Sequence, residues 1–470
     1  MSDQLPRKES SLRPDHVEDL SQASQASGQV QEVSRAVRLA LRKLDLIVIP
    51  LLTSIYLLAF LDRTNLGNAR VAGLQRDLHL DDLKYRTALC VTYVPYILSE
   101  VPSNLIIKKL GPKRYLPALC LSWGIISTLQ CVVHNYAGLI ACRFLLGAVE
   151  GGLFPGLGAF SGLLAAAIEN LDGIRGLEGW RWIFILEGTF TILWAFVAYA
   201  FLPNDPKAAN FLSSTQIEEK LTILRNDVDL VDSHAISFRN VLSVFTDLPI
   251  VCVWVTSLCS GCSLYGLGYF TPTIVQSMGF DRTRTQLMTA PPYAAAVPIT
   301  FLASWISIRF QSRGLPMIAT YMVALTGAIM FLLGRSLAVR YSAIFLLLIG
   351  IYANVPCQVS WVPNYTAGHV RRATGIAMTT VGVNVGGIIS TWIFPSKDAP
   401  FFRFAAAFLV GTNVLAILAT CLAMWLWSRR NYQKQHRDYR QAVLGNISEE
   451  TLAKQLELVG DAHPDYLYVL

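Results

Sequence analysis

The chain has 470 residues, 53% hydrophobic and only 15% charged, with a mean hydropathy of +0.43. A soluble domain usually carries about 25% charged residues, so a water-soluble enzyme is disfavoured and a polytopic membrane protein fits. The net charge of +7 would suggest a nucleic-acid partner in a soluble protein. Here the Lys and Arg residues sit between apolar runs, where their retention in cytoplasmic loops explains them, and no nucleic-acid partner is expected.

Residues 1–43 are polar, with a Ser/Gln stretch (SQASQASGQVQ) and then Arg35, Arg38, Arg42 and Lys43. They are predicted to be a disordered cytoplasmic tail ending in a basic collar. The start lacks a short apolar h-region, so no cleaved signal peptide is expected and the first span should serve as the internal signal. Eleven apolar runs follow, at roughly 44–61, 86–107, 115–133, 137–168, 182–202, 249–271, 287–308, 315–334, 341–362, 374–394 and 401–427. The fourth is anomalously long.

One long polar stretch, 203–248, contains LPNDP and STQIEEKLTIL, where Ser214 or Thr215 could cap a short helix. It separates an N-terminal helical bundle (44–202) from a C-terminal one (249–428) and reads as a cytoplasmic linker between them. A basic tail, 429–470, opens with RRNYQKQHRDYR and is also expected in the cytoplasm. Lys108, Lys109, Lys113 and Arg114, then Arg309 and Arg313, then Arg371 and Arg372 all fall inside with both termini if the first half crosses an even number of times. A single crossing by 137–168 would invert the second half, against the charge pattern.

The nine cysteines lie in or beside apolar runs and form no spaced framework. Cys259 and Cys262 make a CxxC without a second pair, so packing is the simpler reading, and no metal or cofactor is expected.

Ionisable groups inside spans are expensive and generally face a cavity or a partner. The first run ends LLAFLDRTNLGNAR, which puts Asp62, Arg63, Asn65 and Asn68 within two turns. This is either the outer end of the span or a polar stripe entering a cavity. The second run carries Tyr93, Tyr96, Glu100 and Asn104 around Pro95 and Pro102. Tyr93 and Glu100, seven apart, share a face, and Glu100 could instead pair with a loop base.

The fourth run holds Arg143 and Glu150, also seven apart. An anion could bind the arginine while the carboxylate takes a proton; the alternative is a permanent internal ion pair. Later spans offer the amides Asn364 and Asn384, with Gln358 and Trp361 nearby.

The segments LDRTNLGNARVAGL, YILSEVPSNLIIKKLGPKRYLP, RFLLGAVEGGLFPG, GLEGWRWIFILEGTFTI and LPNDP occur in that order. Over residues 43–432 the chain resembles fungal anion:cation symporters of the major facilitator superfamily, a branch with allantoate, nicotinate, pantothenate and biotin permeases. The resemblance implies an all-α integral membrane protein of the major facilitator fold: two six-helix bundles, twelve helices in all, that rock to give alternating access. It implies substrate and proton roles for Asp62, Arg63, Arg143 and Glu150, substrate contact by Asn384, and a gating loop of Lys108, Lys109, Gly111, Lys113 and Arg114.

Two departures stand out. Gly156 runs directly into a stretch like late helix five, so helices four and five look truncated and fused. Ile308 occupies a position where the resemblance leads one to expect Asp, predicting a weakened gating contact.

The expected substrate-binding set is Arg63, Arg143, Tyr93 and Asn384, and the expected proton-coupling set is Asp62, Glu150 and Glu100. The expected function is secondary active transport: symport of a small organic anion with protons, across the bilayer of the plasma membrane. The alternatives are an exporter of a specialised metabolite on the same fold, or a transport-dead sensor or scaffold if the junction after Gly156 disables the site. A membrane enzyme is not expected, since the chain shows no nucleophile motif, metal-ligand cluster or phosphate-cradling loop.

Overall fold

The computed structural model describes residues 46, 48, 50–55, 57–59, 61–150, 172, 174–202, 238–366 and 369–435. The expected N-terminal tail, the C-terminal tail beyond 435, most of the linker and the junction after Gly156 lie outside the described residues. Helix α1 occupies described positions between 46 and 71. It is followed by α2 (Asp82–Cys90), α3 (Tyr93–Leu110), α4 (Pro112–Leu129), α5 (Tyr136–Glu150) and α6 (Gly179–Phe201). Beyond the linker come α7 (Phe238–Thr246), α8 (Leu248–Gln276), α9 (Arg282–Arg309), α10 (Gly314–Leu333), α11 (Leu337–Tyr365), α12 (His369–Ile393) and α13 (Arg403–Lys434).

Local chemistry sets several helix starts. Asp81 and Asp281 cap α2 and α9 by accepting from the backbone N–H of Lys84 (2.7 Å) and Arg284 (2.9 Å). Pro112 and Pro249 occupy first-turn positions, where a missing N–H costs nothing. The second apolar run is broken: α2 and α3 are separated at Val91–Thr92, one turn before Pro95, which has no N–H to return to Val91. Helix α13 runs to Lys434, past the expected end of the bundle at 428, because Arg430 is held by Asp247 at 2.8 Å and Lys434 is buried.

Among the described residues, α4, α6 and α8–α13 are eight helices long and apolar enough to cross a membrane. Phe190, Leu193, Phe196, Phe301, Trp305, Leu418 and Trp425 are exposed on their outer faces, an apolar surface that suits lipid rather than water. Helices α8 and α11 are buried around most of their circumference. Helix α8 packs on α11, α12 and α13, while α4 packs on α5 and α6, and α12 reaches across to α2 and α3.

At one end of the molecule the two halves are hydrogen-bonded together. Ser396, between α12 and α13, donates to Asp82 through its hydroxyl (2.6 Å) and its N–H (3.0 Å). Arg70 joins them, donating to Ser396 Oγ (2.8 Å) and Asp82 Oδ1 (3.0 Å), and Arg86 completes the cluster at 3.3 Å. Gln286 of α9 also donates to the Asn68 carbonyl of α1 at 3.3 Å.

At the opposite end, Gly111 turns between α3 and α4 with φ 76°, a left-handed value that suits glycine. The related turn after α9 is held by Arg313 Nη1 donating to Ser307 Oγ at 2.9 Å, while Ile308 points outward. Asp247 there binds both Arg371 (3.0 Å) and Arg430 (2.8 Å), fastening α12 and α13 to the start of α8.

Candidate functional site

Midway between those ends, α1, α5 and α6 bring charge into the interior. Asp62, Arg63, Arg143, Glu150 and Glu187 are all buried. Arg63 Nε donates to Glu150 Oε2 at 2.7 Å, and its Nη1 donates to the Tyr265 hydroxyl at 2.7 Å. The guanidinium lies 4.3 Å over the Tyr96 ring, a cation–π contact of the kind that strengthens as water is removed.

Asp62 Oδ1 accepts from the Ser127 hydroxyl, and Oδ2 has no partner among the described residues. Arg143 packs its guanidinium 5.7 Å from the Phe184 ring, and its Nε and Nη2 make no hydrogen bond among the described residues. Unused donors on a buried guanidinium suit a carboxylate, which takes parallel N–H bonds from that fork.

Phenols line the other side. The Tyr93 and Tyr269 hydroxyls are 2.8 Å apart, and the Tyr93 ring meets Tyr265 edge-on at 5.2 Å. Tyr265 and Tyr269 stack with centroids 6.2 Å apart. Tyr93 also lies against Gly387 of α12, where a methyl group would come within 2.5 Å of the ring. The cluster is therefore shared: charges and two phenols from the first half, two phenols from α8 of the second.

The structure brings Asp62, Arg63, Arg143, Glu150 and Tyr93 into one buried region. It does not pair Arg143 with Glu150 as a permanent ion pair on α5; Glu150 instead pairs with Arg63 of α1. Asn384 is fully buried, and its Nδ2 donates to the Thr380 carbonyl of its own helix at 2.9 Å, leaving Oδ1 without a partner among the described residues. It lies one turn from Gly387, near the Tyr93 face.

Glu100 is buried with one carboxyl oxygen unpartnered and no ion pair among the described residues. The gating-loop residues sit apart from this cluster, at the Gly111 turn. Arg114 is exposed and Lys113 half-buried, and the side chains of Lys108 and Lys109 lie outside the description.

Tyr265, Tyr269, Ser127 and Glu187 were not singled out by sequence reasoning. The signal for the two tyrosines was YGLGY, phenols at i and i+4 on one face with glycines between. Glu187 stood in plain view inside ILEG.

The model of the Major Facilitator Superfamily matches residues 52–173 and 158–391. An uncharacterized transporter of Schizosaccharomyces pombe is 33% identical over 456 residues, covering 90% of this chain and 89% of its own length. The high-affinity nicotinic acid transporter of Saccharomyces cerevisiae is 28% identical over 462 residues, covering 91% of this chain and 84% of its own length. Among solved structures, a bacterial homolog of the human lysosomal transporter Spinster, inward-facing and occupied, superposes with TM-score 0.60 at 16% identity. That match covers 80% of this chain and 96% of the other. On the family model and on the Schizosaccharomyces pombe relative, the chain belongs to the major facilitator superfamily, as a multi-pass membrane transporter related to these fungal carriers.

Proposed function

We propose that this transporter is a symporter that moves a small organic anion together with protons. The observation that carries the reading is the pair of buried arginines, one held by Glu150 and Tyr265 and the other with open N–H groups. An incoming carboxylate binds Arg143 and competes with Glu150 for Arg63. Protonation of Glu150 removes that competition, and protonation of Asp62 lowers the negative charge around both arginines, because a neutral acid no longer neutralises a guanidinium. Tyr93 and Asn384 orient the anion by hydrogen bonds, and Glu100 is a further proton site on the α3 face.

The Asp82–Ser396 end is the outer one, closed here. The Gly111 loop, with Lys108, Lys109, Lys113 and Arg114, gates the inner mouth. Residues 1–43, 203–248 and 429–470 face the cytoplasm, with bundles 44–202 and 249–428 in the plasma membrane. The similarity to a nicotinic acid transporter supports a monocarboxylate as first probe.

The test is uptake of labelled nicotinate, and then of a panel of organic anions, into proteoliposomes under imposed pH gradients. Accumulation with the outside acidic, converted to mere equilibration by Asp62→Asn, is the expected result. Accumulation only under the opposite gradient would make the protein an exporter. Uptake of anions indifferent to any pH gradient would overturn proton coupling.

A further inference from the structure

Glu187, at the centre of α6, has no role in the transport cycle just described. Its side chain is 2% exposed, and neither carboxyl oxygen has a hydrogen-bond partner among the described residues. Helix α6 is pressed onto α4 beside it: a methyl group on Gly188 would come 2.6 Å from Thr128 N and 2.8 Å from the Gly124 carbonyl oxygen. The neighbouring Ser127 is the donor to Asp62. One turn earlier on the same face of α6 is Phe184, whose ring carries Arg143.

The charged groups acting on Glu187 are Asp62 of α1 and Arg143 and Glu150 of α5. The α4 surface beside it presents Gly124, Ser127 and Thr128, none charged.

A buried carboxylate with both oxygens unpartnered, one turn from the ring that carries a buried guanidinium with unused N–H groups, is an unstable arrangement if both are ionised and not bonded to each other. Counting the cluster gives the same answer. Asp62, Glu150 and Glu187 face Arg63 and Arg143, leaving at least one carboxylate in excess before Glu100 or any anion is counted, so at least one proton is needed to balance the site.

We propose that Glu187 carries that proton and acts as a proton-operated competitor for Arg143. Protonated, it leaves the guanidinium open to a substrate carboxylate. When the proton passes to water at the open mouth, the Glu187 carboxylate takes Arg143 as an ion pair and displaces the anion. Its consequence for transport rests on the symport reading, whereas the proton on Glu187 does not.

The experiment begins without ligand, with infrared difference spectra of the full-length protein in lipid bilayers during a pH titration. Wild type is expected to show the carbonyl stretch of a protonated carboxyl group, lost in Glu187→Gln and displaced in frequency in Glu187→Asp. An unchanged band in both variants overturns the proposal, and the aspartate variant decides it should the glutamine variant fail to fold.

Labelled nicotinate in proteoliposomes is the second readout. Glu187→Gln is expected to keep exchange while losing gradient-driven accumulation at least tenfold, with the pH dependence of binding flattened. Wild-type accumulation and pH profile in that variant would also overturn the proposal. Absence of nicotinate uptake by the wild type under every gradient counts against the symport reading for that anion, and the infrared result then decides Glu187 alone.

Discussion

Replacing Asp82 with alanine should loosen the closed end of the transporter by an amount the structure sets. Asp82 accepts two bonds that cross between the halves, from the Ser396 hydroxyl at 2.6 Å and the Ser396 N–H at 3.0 Å. Hydrogen bonds to a charged partner contribute about 1.5–3 kcal/mol each. Asp82 is 32% exposed, so screening roughly halves their sum to about 1.5–3 kcal/mol. At about 1.4 kcal/mol per decade, the closed-to-open ratio at this end falls about 10- to 100-fold.

Spin labels at His79 and Lys397, exposed positions on the two halves, would report the change as a longer and broader distance distribution by pulsed electron paramagnetic resonance. Asp81→Ala is the control. Asp81 caps α2 through Lys84 N, so its loss costs local stability but breaks no bond between halves. A distance distribution that Asp82→Ala leaves unchanged, or that Asp81→Ala changes equally, would refute the latch.

Arg63→Lys should fold normally yet lose at least tenfold in uptake rate, because one ammonium cannot reproduce separate bonds from Nε to Glu150 and from Nη1 to Tyr265. Normal uptake in that variant would remove Arg63 from the site. Tyr93→Phe deletes the 2.8 Å bond to Tyr269 and should lower thermal stability in detergent by about 0.5–1.5 kcal/mol, read from the shift in melting temperature. Glu178, just before α6, is held below its ordinary value of 4.5 by hydrogen bonds from Arg181 and from its own backbone. Its contribution to stability is thus present above that value and lost as pH falls through the lower folded-state value. Glu178→Gln should flatten the acid side of a melting-temperature profile slightly, the effect being small because the side chain is 43% exposed.

The charges of the first half were legible because an ionised group in an apolar run has few benign explanations. What spacing alone left open was partnership. Arg143 and Glu150 share a helical face, yet Glu150 pairs with an arginine 87 residues earlier in the chain, since packing of α1 against α5 decides which guanidinium arrives. Tyrosines carry no such flag in an apolar run, so Tyr265 and Tyr269 were invisible until α8 was placed against α1 and α3. The apolar run 86–107 read as one segment, whereas the helix breaks at Val91–Thr92 because Pro95 has no N–H for the Val91 carbonyl.

The shared ownership of the site has a mechanical consequence. Arg63 is held by Glu150 within its own half and by Tyr265 from the other, and Tyr93 by Tyr269 from the other. Rotation of the halves that opens the Asp82–Ser396 end must stretch both phenol contacts, so the orientation of Arg63 and the closure of that end are one linked equilibrium. A ligand that engages Arg63 better with Tyr265 in place than without it favours closure by that difference in free energy, and closure raises its affinity by the same factor. Charges confined to one half would bind an anion equally well in every orientation and drive nothing. In the proposed symport cycle, the phenols supplied by α8 give anion binding a means to bias the rotation of the halves.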